Sequence, residues 1–177
     1  MCTTASFAWV VAHMASDKLP YHICADASEF VMDKLMTMAA KMHGQLSRRH
    51  DVNMLNHEEV IDGFGVPYEL QIYTLNGHSL ADVDEGFPDT VHIDDVYEYI
   101  GNLSKQATGA CGCIITANSH TIGVVCREAA SGLEYVLFDP MPAIVAEPNT
   151  KRDFEESMTQ ALGVMTEFSL SVFRHRS

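Results

Sequence analysis

The sequence predicts a single α+β domain that spans residues 1–177. An amphipathic helical pattern comes early, over residues 25–42, whereas the second half is dominated by the alternating patterns of strands and includes a hairpin. Helices and antiparallel strands that are segregated along a chain in this way are typical of the α+β class. A chain of 177 residues is long enough to bury a core of ordinary size.

Helical periodicity marks three stretches of the chain. Residues 25–42 place an apolar side chain at every third or fourth position, the pattern of a helix with one buried face. Residues 90–103 and 151–162 repeat that spacing, so we expect helices there as well. We expect residues 1–20 to form an irregular or extended lead-in that ends at Pro20.

Strand patterns fill most of the remaining second half. Residues 68–75 alternate as a strand does and run into Asn76-Gly77, a pair of residues typical of a tight turn. Residues 110–117 form a short apolar run that predicts a buried strand, and residues 167–173 predict the last strand.

The most informative stretch is a predicted hairpin in the second half. Residues 120–128 and 133–141 form its strands, and residues 129–132 form the turn. If the turn has four residues, Glu128 lies opposite Leu133, and this pair fixes the register of the whole hairpin.

This register brings two chemically useful side chains to one face. It places His120 opposite Met141 and Ile122 opposite Asp139. Because side chains alternate between the two faces of a strand, all four residues lie on the same face. The sequence therefore predicts an imidazole and a carboxylate side by side.

The charge of the chain bears on its partners. The sequence has 24 acidic and 11 basic residues and a net charge of -13. Binding to nucleic acid needs clustered Lys and Arg, so we expect no nucleic-acid partner. The negative electrostatic field of the chain favours a basic protein partner instead. No apolar run is long enough to span a bilayer, so we expect no membrane association.

The five cysteines indicate an intracellular protein without a metal site, and we expect no cofactor. They are Cys2, Cys24, Cys111, Cys113 and Cys126. An odd number without a regular spacing is typical of reduced thiols and therefore of an intracellular setting. Cys111 and Cys113 are too close together for an ordinary zinc clip, so we expect both to be buried core residues.

Three residues form a candidate catalytic set, namely Cys24, His120 and Asp139. Cys24 precedes the helix of residues 25–42, and the start of a helix stabilises a thiolate. The imidazole would take the proton of the thiol and the carboxylate would orient the ring. Asp26 opposes this assignment, since a nearby negative charge raises the pKa of a thiol. The alternative is that all three are ordinary structural residues.

The amino-acid sequence of residues 91–162 resembles that of a known family. The segments VHIDDVYEYIGNL, CIITA, SHTIGVV and EYVLFDP, followed by a helix, are similar to the N-terminal deubiquitinase domain of herpesvirus large tegument proteins, the betaherpesvirus members above all. The resemblance implies a papain-like fold in which an N-terminal, Cys-bearing helix packs on an antiparallel sheet. It implies a cysteine protease that acts on isopeptide bonds of ubiquitin or a ubiquitin-like protein.

The family's catalytic residues carry over only in part. Cys24 matches the nucleophile and Asp139 matches the orienting acid. The family's histidine follows that acid by two residues, where this chain has Met141. The glutamine before the nucleophile is replaced by Ile23, and residues 1–23 contain no Gln or Asn that could match the upstream oxyanion glutamine.

These departures leave two functions open. His120 can replace the missing base, because the register puts it opposite Met141, and His22 or His13 can supply the oxyanion donor. Alternatively, the domain is a catalytically inactive pseudoprotease that binds ubiquitin or another viral or host protein. An unrelated α+β scaffold is a third interpretation. The resemblance implies a location in the host cytoplasm or nucleus, or in the virion tegument.

Overall fold

The structure, a computed structural model, contains a seven-stranded sheet with helices on both faces, and this confirms the α+β prediction. It describes residues 2–15, 37, 40–41, 70–78, 90–106, 110–140 and 144–175.

The described elements are three α-helices, one short 3₁₀ helix and seven strands, four of which follow one another between the second and third α-helices. The helices are α1 (Cys2–Ala15), α2 (Val96–Gln106) and α3 (Lys151–Leu162), and a short 3₁₀ helix (Ile93–Asp95) precedes α2. The strands are β1 (Leu70–His78), β2 (Thr90–His92), β3 (Ala110–Ala117), β4 (His120–Ala129), β5 (Gly132–Asp139), β6 (Ile144–Ala146) and β7 (Glu167–His175).

The sheet has the order β2-β1-β7-β3-β4-β5-β6. Every neighbouring pair is antiparallel except β1 and β2, which are parallel. The β3–β4–β5 meander lies toward one side of the sheet and carries the predicted hairpin.

Each face of the sheet has its own apolar core. Helices α2 and α3 cover one face, where Phe154 and Met158 of α3 pack with residues such as Ile122 and Leu137. Helix α1 covers the opposite face, where Trp9 packs with a second set of strand residues, Ile114, Val125, Val136, Phe138 and Phe173. The alternation of side chains along the strands therefore decides which helix each residue meets.

The expectation of an extended lead-in over residues 1–20 is wrong for residues 2–15, which form α1. An amphipathic stripe appears only when one face of a helix meets water. In α1 the residues from Thr4 to Val10 are all buried, as are His13 and Met14, so the helix shows no stripe. Gly112 and Gly123 allow this close packing, since a Cβ atom on either would lie within 3.0 Å of Val10 or Trp9.

The predicted hairpin register is confirmed. Glu128 pairs with Leu133, and the β4–β5 ladder continues in that register to Gly123 and Phe138. The turn is shorter by two residues than predicted, because Ala129 pairs with Gly132.

The other predicted elements agree in part. The strand of residues 110–117 and the helix of residues 151–162 have the predicted bounds, and the last strand extends beyond residues 167–173 to His175. The helix predicted over residues 90–103 begins later, because residues 90–92 form β2 and residues 93–95 form the 3₁₀ helix.

The turn predicted at Asn76-Gly77 is wrong, since both residues lie within β1. Gly77 faces Phe168 in the β1–β7 ladder. A Cβ atom on Gly77 would lie 1.9 Å from the Phe168 ring, so this glycine makes room for an aromatic side chain.

Most of the helix predicted over residues 25–42 lies outside the described residues. Thr37, Ala40 and Lys41 are described, and all three are helical. The packing of a Cys24-bearing helix on the sheet and the extent of the single domain over residues 1–177 stay predictions.

Candidate active site

The site is built at the end of the sheet where β3 turns into β4. Asn118 and Ser119 form this two-residue turn with φ values of 51° and 63°, the conformation that tight hairpins require. The Asn118 side chain donates to the carbonyls of Leu162 (2.8 Å) and Val164 (2.9 Å). The turn is thereby tied to the end of α3, and this fixes His120, the first residue of β4.

His120 and Asp139 form a hydrogen-bonded pair, as the predicted register implies. His120 Nε2 lies 2.6 Å from Asp139 Oδ1, and the two side chains are 19% and 17% exposed. A carboxylate only accepts hydrogen bonds, so Nε2 carries the proton and Nδ1 of the neutral ring keeps its lone pair. Nδ1 has no hydrogen-bond partner among the described residues. This ring is oriented by an acid and has a free basic nitrogen, the arrangement of a general base.

A cavity of about 270 Å³ adjoins the pair. Asp139 stands in its wall, between the end of β5 and α3, and Ile122, Leu137 and Ile144 supply apolar lining. The cavity is on the same face as the His120–Asp139 pair, so the carboxylate borders a partly apolar recess that is large enough for a side chain or a short peptide segment.

The start of α1 is fastened to the residue that follows His120. Thr3 Oγ1 lies 2.9 Å from Thr121 Oγ1, which in turn lies 2.6 Å from Thr116 Oγ1. Ser6 Oγ donates to the Thr121 carbonyl over 3.1 Å. Cys2, the first residue of this helix, is half-buried and has a free thiol. The start of α1 therefore lies at the same end of β4 as the His–Asp pair.

The sequence pattern did not predict the helix that carries Cys2, because the run from Thr3 to Met14 lacks an amphipathic stripe.

The structure places His13, one of the two oxyanion candidates, away from the pair. Its backbone carbonyl accepts a hydrogen bond from Arg127 Nη2 over 2.7 Å, near the far end of β4. Thr121 and Arg127 are six residues apart, or about 20 Å along a strand. A donor at His13 cannot reach a substrate bound at His120.

The environment of His13 is also that of a structural residue. The ring is buried, stacks on Trp9 with centroids 4.2 Å apart, and its Nδ1 donates to the Trp9 carbonyl over 2.7 Å. Burial is the main reason that the pKa of His13 is lowered from its usual value, and the nearby Arg127 charge adds to the effect.

Four of the predicted site residues lie outside the described residues. They are Cys24, the second oxyanion candidate His22, and the two departures from the family, Ile23 and Met141. Their roles stay predictions.

The three cysteines of the sheet are core residues. Cys111, Cys113 and Cys126 are buried beneath α2 and α3. Burial raises the pKa of Cys111 to about 12, and it also raises the pKa values of Cys113 and Cys126. Among the described residues, no group of three or more His, Cys, Asp or Glu side chains could hold a metal ion.

In the part of the chain that the structure describes, no helix combines the length and the apolar character needed to cross a bilayer.

Comparison with known proteins identifies the fold. No protein-family model matches the sequence, and no curated protein sequence matches it significantly. A solved structure that resembles the chain is the ubiquitin-specific protease encoded by murine cytomegalovirus tegument protein M48, in complex with a ubiquitin-based suicide substrate. The TM-score is 0.69 at 11% sequence identity, and the match covers 99% of this chain and 79% of that one. The chain thus shares the fold of a viral protease, and the matched part takes in both α1 and the β4–β5 hairpin.

Proposed function

We propose that this domain is a deubiquitinase-like cysteine protease that cleaves the isopeptide bond after the C-terminal tail of ubiquitin or a ubiquitin-like protein. The observation that carries the proposal is the 2.6 Å hydrogen bond between His120 and Asp139. The likeness of the fold to a ubiquitin-specific protease supports it. A viral protein with this activity would meet ubiquitin inside the host cell.

The reaction follows from the protonation states of the pair. His120 Nδ1 takes the proton of a cysteine thiol, and the thiolate attacks the carbonyl carbon of the isopeptide bond. The imidazolium returns this proton to the leaving lysine amine as the C–N bond breaks, which leaves a thioester. A water molecule then gives a proton to Nδ1 and attacks the thioester. As the C–S bond breaks, the imidazolium protonates the departing thiolate, and the released carboxylic acid loses its proton to the solvent.

Asp139 acts through His120 in both halves of this reaction. Its carboxylate accepts the Nε2 proton and therefore holds Nδ1 unprotonated and aimed away from β5. It also stabilises the imidazolium that forms in each step. Asp139 is thus a positioning residue, and His120 is the general base and acid.

The alternative, an inactive pseudoprotease that binds ubiquitin or another viral or host protein, rests on Met141. This residue stands where the resembled family has its histidine, and a thioether cannot accept the proton of a thiol. In this alternative the fold and the ubiquitin-binding surface are kept without catalysis.

Hydrolysis of a ubiquitin C-terminal fluorogenic amide tests the proposal. We expect turnover by the wild type, and a fall in kcat/KM of at least about 10³-fold in His120→Ala, because the variant lacks the base. His92→Ala is the matched control. His92 also lies beside a carboxylate, with its Nδ1 3.6 Å from Asp94 Oδ2, but it belongs to the opposite edge of the sheet. We expect this variant to keep full activity.

The same assay separates the two functions. Wild-type protein that binds ubiquitin saturably but does not hydrolyse the amide is the result expected of a pseudoprotease. Turnover that survives His120→Ala contradicts the assignment of the base. The absence of both turnover and ubiquitin binding contradicts both functions and leaves only the fold.

A further inference from the structure

Strand β6 forms one edge of the sheet among the described strands. Its residues, Ile144, Val145 and Ala146, carry no charge. Edge strands are commonly protected by charged side chains, because their outward backbone N–H and C=O groups can pair with another chain. Ile144 is 55% exposed, so the edge presents a large apolar side chain to the solvent. The edge therefore has the properties of a surface on which an extended segment can add as a further strand.

A recess beneath this edge can hold a side chain of such a segment. It is the cavity of about 270 Å³ that Asp139 borders, which we call the Asp139 cavity. Ile144 and Ala146 of β6 line it, as does Ala161 of α3. Asp139 pairs with Ile144 in the β5–β6 ladder, so the carboxylate stands directly beside the exposed apolar side chain.

A second recess follows along the same edge. This Glu147 cavity has a volume of about 370 Å³, and residues 133–136 of β5 and residues 147–149 line it. The described β5–β6 ladder joins β6 to residues 137–139 of β5, so the Glu147 cavity lies beside the part of β5 that precedes this ladder. Glu134 and Glu147 both contribute carboxylates to its lining.

The charges that border the two cavities are all negative. Among the described residues that line them, the charged ones are Asp139, Glu134 and Glu147, and none is Lys or Arg. A neutral His120 ring does not cancel the charge of Asp139, so the pair keeps one negative charge. The chain as a whole has a net charge of -13. A basic segment complements this edge, whereas an acidic one is repelled.

We propose that β6 and these two cavities form a docking groove for an extended, basic segment of a partner protein. The segment adds to β6 as a strand, and its Lys or Arg side chains enter the Asp139 and Glu147 cavities. The basic partner that the net charge favours thereby gains a defined place on the molecule. This inference goes beyond the proposed protease activity, because the binding needs no turnover.

A Lys or Arg side chain suits the Asp139 cavity in both of its parts. Its methylene stem packs on Ile122, Leu137 and Ile144, and its charged end lies near the carboxylate. An acidic side chain would meet a like charge, and a purely apolar one would remove water from the carboxylate without replacing it by a partner. Residues 144–149 pass both cavities, and six extended residues span about 20 Å, so a segment of this length fills the groove.

Fluorescence polarisation with labelled hexapeptides tests the proposal. One peptide alternates arginine with valine, and the other alternates valine with citrulline, the neutral isostere of arginine. We expect the arginine peptide to bind saturably at about 150 mM salt, where charges more than about 8 Å apart are largely screened. The citrulline peptide should bind at least about tenfold more weakly, because it lacks the charge that the carboxylates attract. No saturable binding of the arginine peptide, or equal binding of the two peptides, overturns the proposal.

Two variants locate the binding site. Ile144→Lys puts a positive charge on the edge, and Ala161→Phe fills the Asp139 cavity, so we expect each to weaken binding of the arginine peptide at least about tenfold. Asn76→Lys is the matched control. It makes the same change in net charge at an exposed position of β1, toward the other edge of the sheet, and should stay within about twofold of the wild type. Equal weakening by Ile144→Lys and Asn76→Lys would show that the peptide follows the net charge and not the groove.

Amide hydrogen exchange shows whether the peptide adds as a strand. We expect the arginine peptide to slow exchange of at least one backbone N–H in residues 144–146 and to leave residues 90–92, at the opposite edge, unchanged. Unchanged exchange in residues 144–146 contradicts strand addition. Protection of these residues that rises with protein concentration in the absence of peptide would show that a second copy of the chain occupies the edge, which overturns the assignment of a basic partner.

The outcomes are independent of those of the proposed protease function. Neither polarisation nor hydrogen exchange requires hydrolysis, so a failure to bind the arginine peptide leaves the protease proposal intact. A protein that binds the peptide as expected but does not hydrolyse the ubiquitin amide keeps the docking groove and loses the protease function.

Discussion

The two ends of β4 each hold a histidine, and the two rings are in opposite states. At the start of the strand, His120 is partly exposed, its Nε2 donates to a carboxylate, and its Nδ1 has no hydrogen-bond partner among the described residues. Toward the far end, His13 of α1 is buried, stacks on Trp9, and uses Nδ1 to donate to a backbone carbonyl. The hydrogen-bond partner therefore assigns opposite tautomers to the two rings.

This difference shows what separates a histidine that is suited to proton transfer from one that has only a structural role. A carboxylate partner stabilises an imidazolium as well as orienting the ring, whereas a backbone carbonyl in an apolar setting offers no compensating charge. His120 can therefore take up and release a proton during a reaction, while His13 is kept neutral by its surroundings. Substitutions at the two ends should accordingly change different quantities: activity at the start of β4 and stability at the far end.

We expect the largest effect on stability from a substitution near His13, where α1 packs on the sheet through apolar side chains. Trp9 is fully buried and stacks on Phe138, with ring centroids 5.1 Å apart. Trp9→Ala leaves a large cavity between α1 and the sheet, so we expect the free energy of unfolding to fall by about 3–5 kcal/mol in urea titration. Val164→Ala, at a side chain that is 83% exposed, should stay within about 0.5 kcal/mol of the wild type. A loss below about 1 kcal/mol for Trp9→Ala would show that α1 does not depend on this packing.

At the start of β4, where His120 and Asp139 lie, we expect substitutions to change catalysis. Asp139→Ala removes the acceptor of the Nε2 proton, and we expect kcat/KM for the ubiquitin amide to fall about 100-fold, or about 2.7 kcal/mol. Asp139→Asn keeps a hydrogen-bond acceptor but loses the charge, so it should fall between Asp139→Ala and the wild type. Asp94→Asn, at the exposed carboxylate beside His92, is the matched control and should change nothing. Activity of Asp139→Ala within about threefold of the wild type would contradict the positioning role.

The smallest expected effect is the contribution of His13 to the pH dependence of stability. Its pKa is lowered in the folded protein, mainly by burial, so below pH 6.5 the unfolded chain binds a proton that the folded chain resists. Stability is therefore highest above pH 6.5 and is lost as the pH falls from there through the lowered value. We expect His13→Gln to remove this contribution, at most about 1.4 kcal/mol for each unit by which the pKa is lowered.

Urea titrations at pH 7.5 and pH 5.5 measure this contribution. The loss of stability between the two values should be smaller in His13→Gln than in the wild type. His92→Gln controls for removing a histidine from the surface, and its loss should equal that of the wild type. An unchanged loss in His13→Gln would show that His13 is protonated at little cost in the fold.

The hairpin could be predicted from the sequence because the register of two strands joined by a short turn follows from the turn length and from the alternation of side chains. Alternation with a period of two, together with a short turn, fixes which residues face each other, and one slip would invert both faces. The pairing of Glu128 with Leu133 followed from this pattern, and it brought His120 to the same face as Asp139. The juxtaposition of His120 and Asp139 could therefore be predicted before the structure was known.

The opposite side of the sheet could not be predicted in this way. A helix that is buried all round lacks the stripe that identifies amphipathic helices, so α1 was taken for an extended segment. Asn76-Gly77 has the composition of a turn, yet the tertiary contact between Gly77 and Phe168 keeps it in a strand. In both cases the decisive contacts join residues that are more than 90 positions apart in the sequence.

In the proposed mechanism, His120, held by Asp139, ionises the thiol that attacks the ubiquitin tail. The pH dependence of labelling by ubiquitin that carries a C-terminal vinyl electrophile tests it most directly, because a thiol without a base ionises by itself only near its ordinary pKa of about 8.5. We predict that His120→Ala is labelled at least about 100-fold more slowly than the wild type at pH 7, and that this gap closes to within about tenfold at pH 9.5. A gap that is the same at both pH values, or equal labelling at pH 7, would contradict the claim.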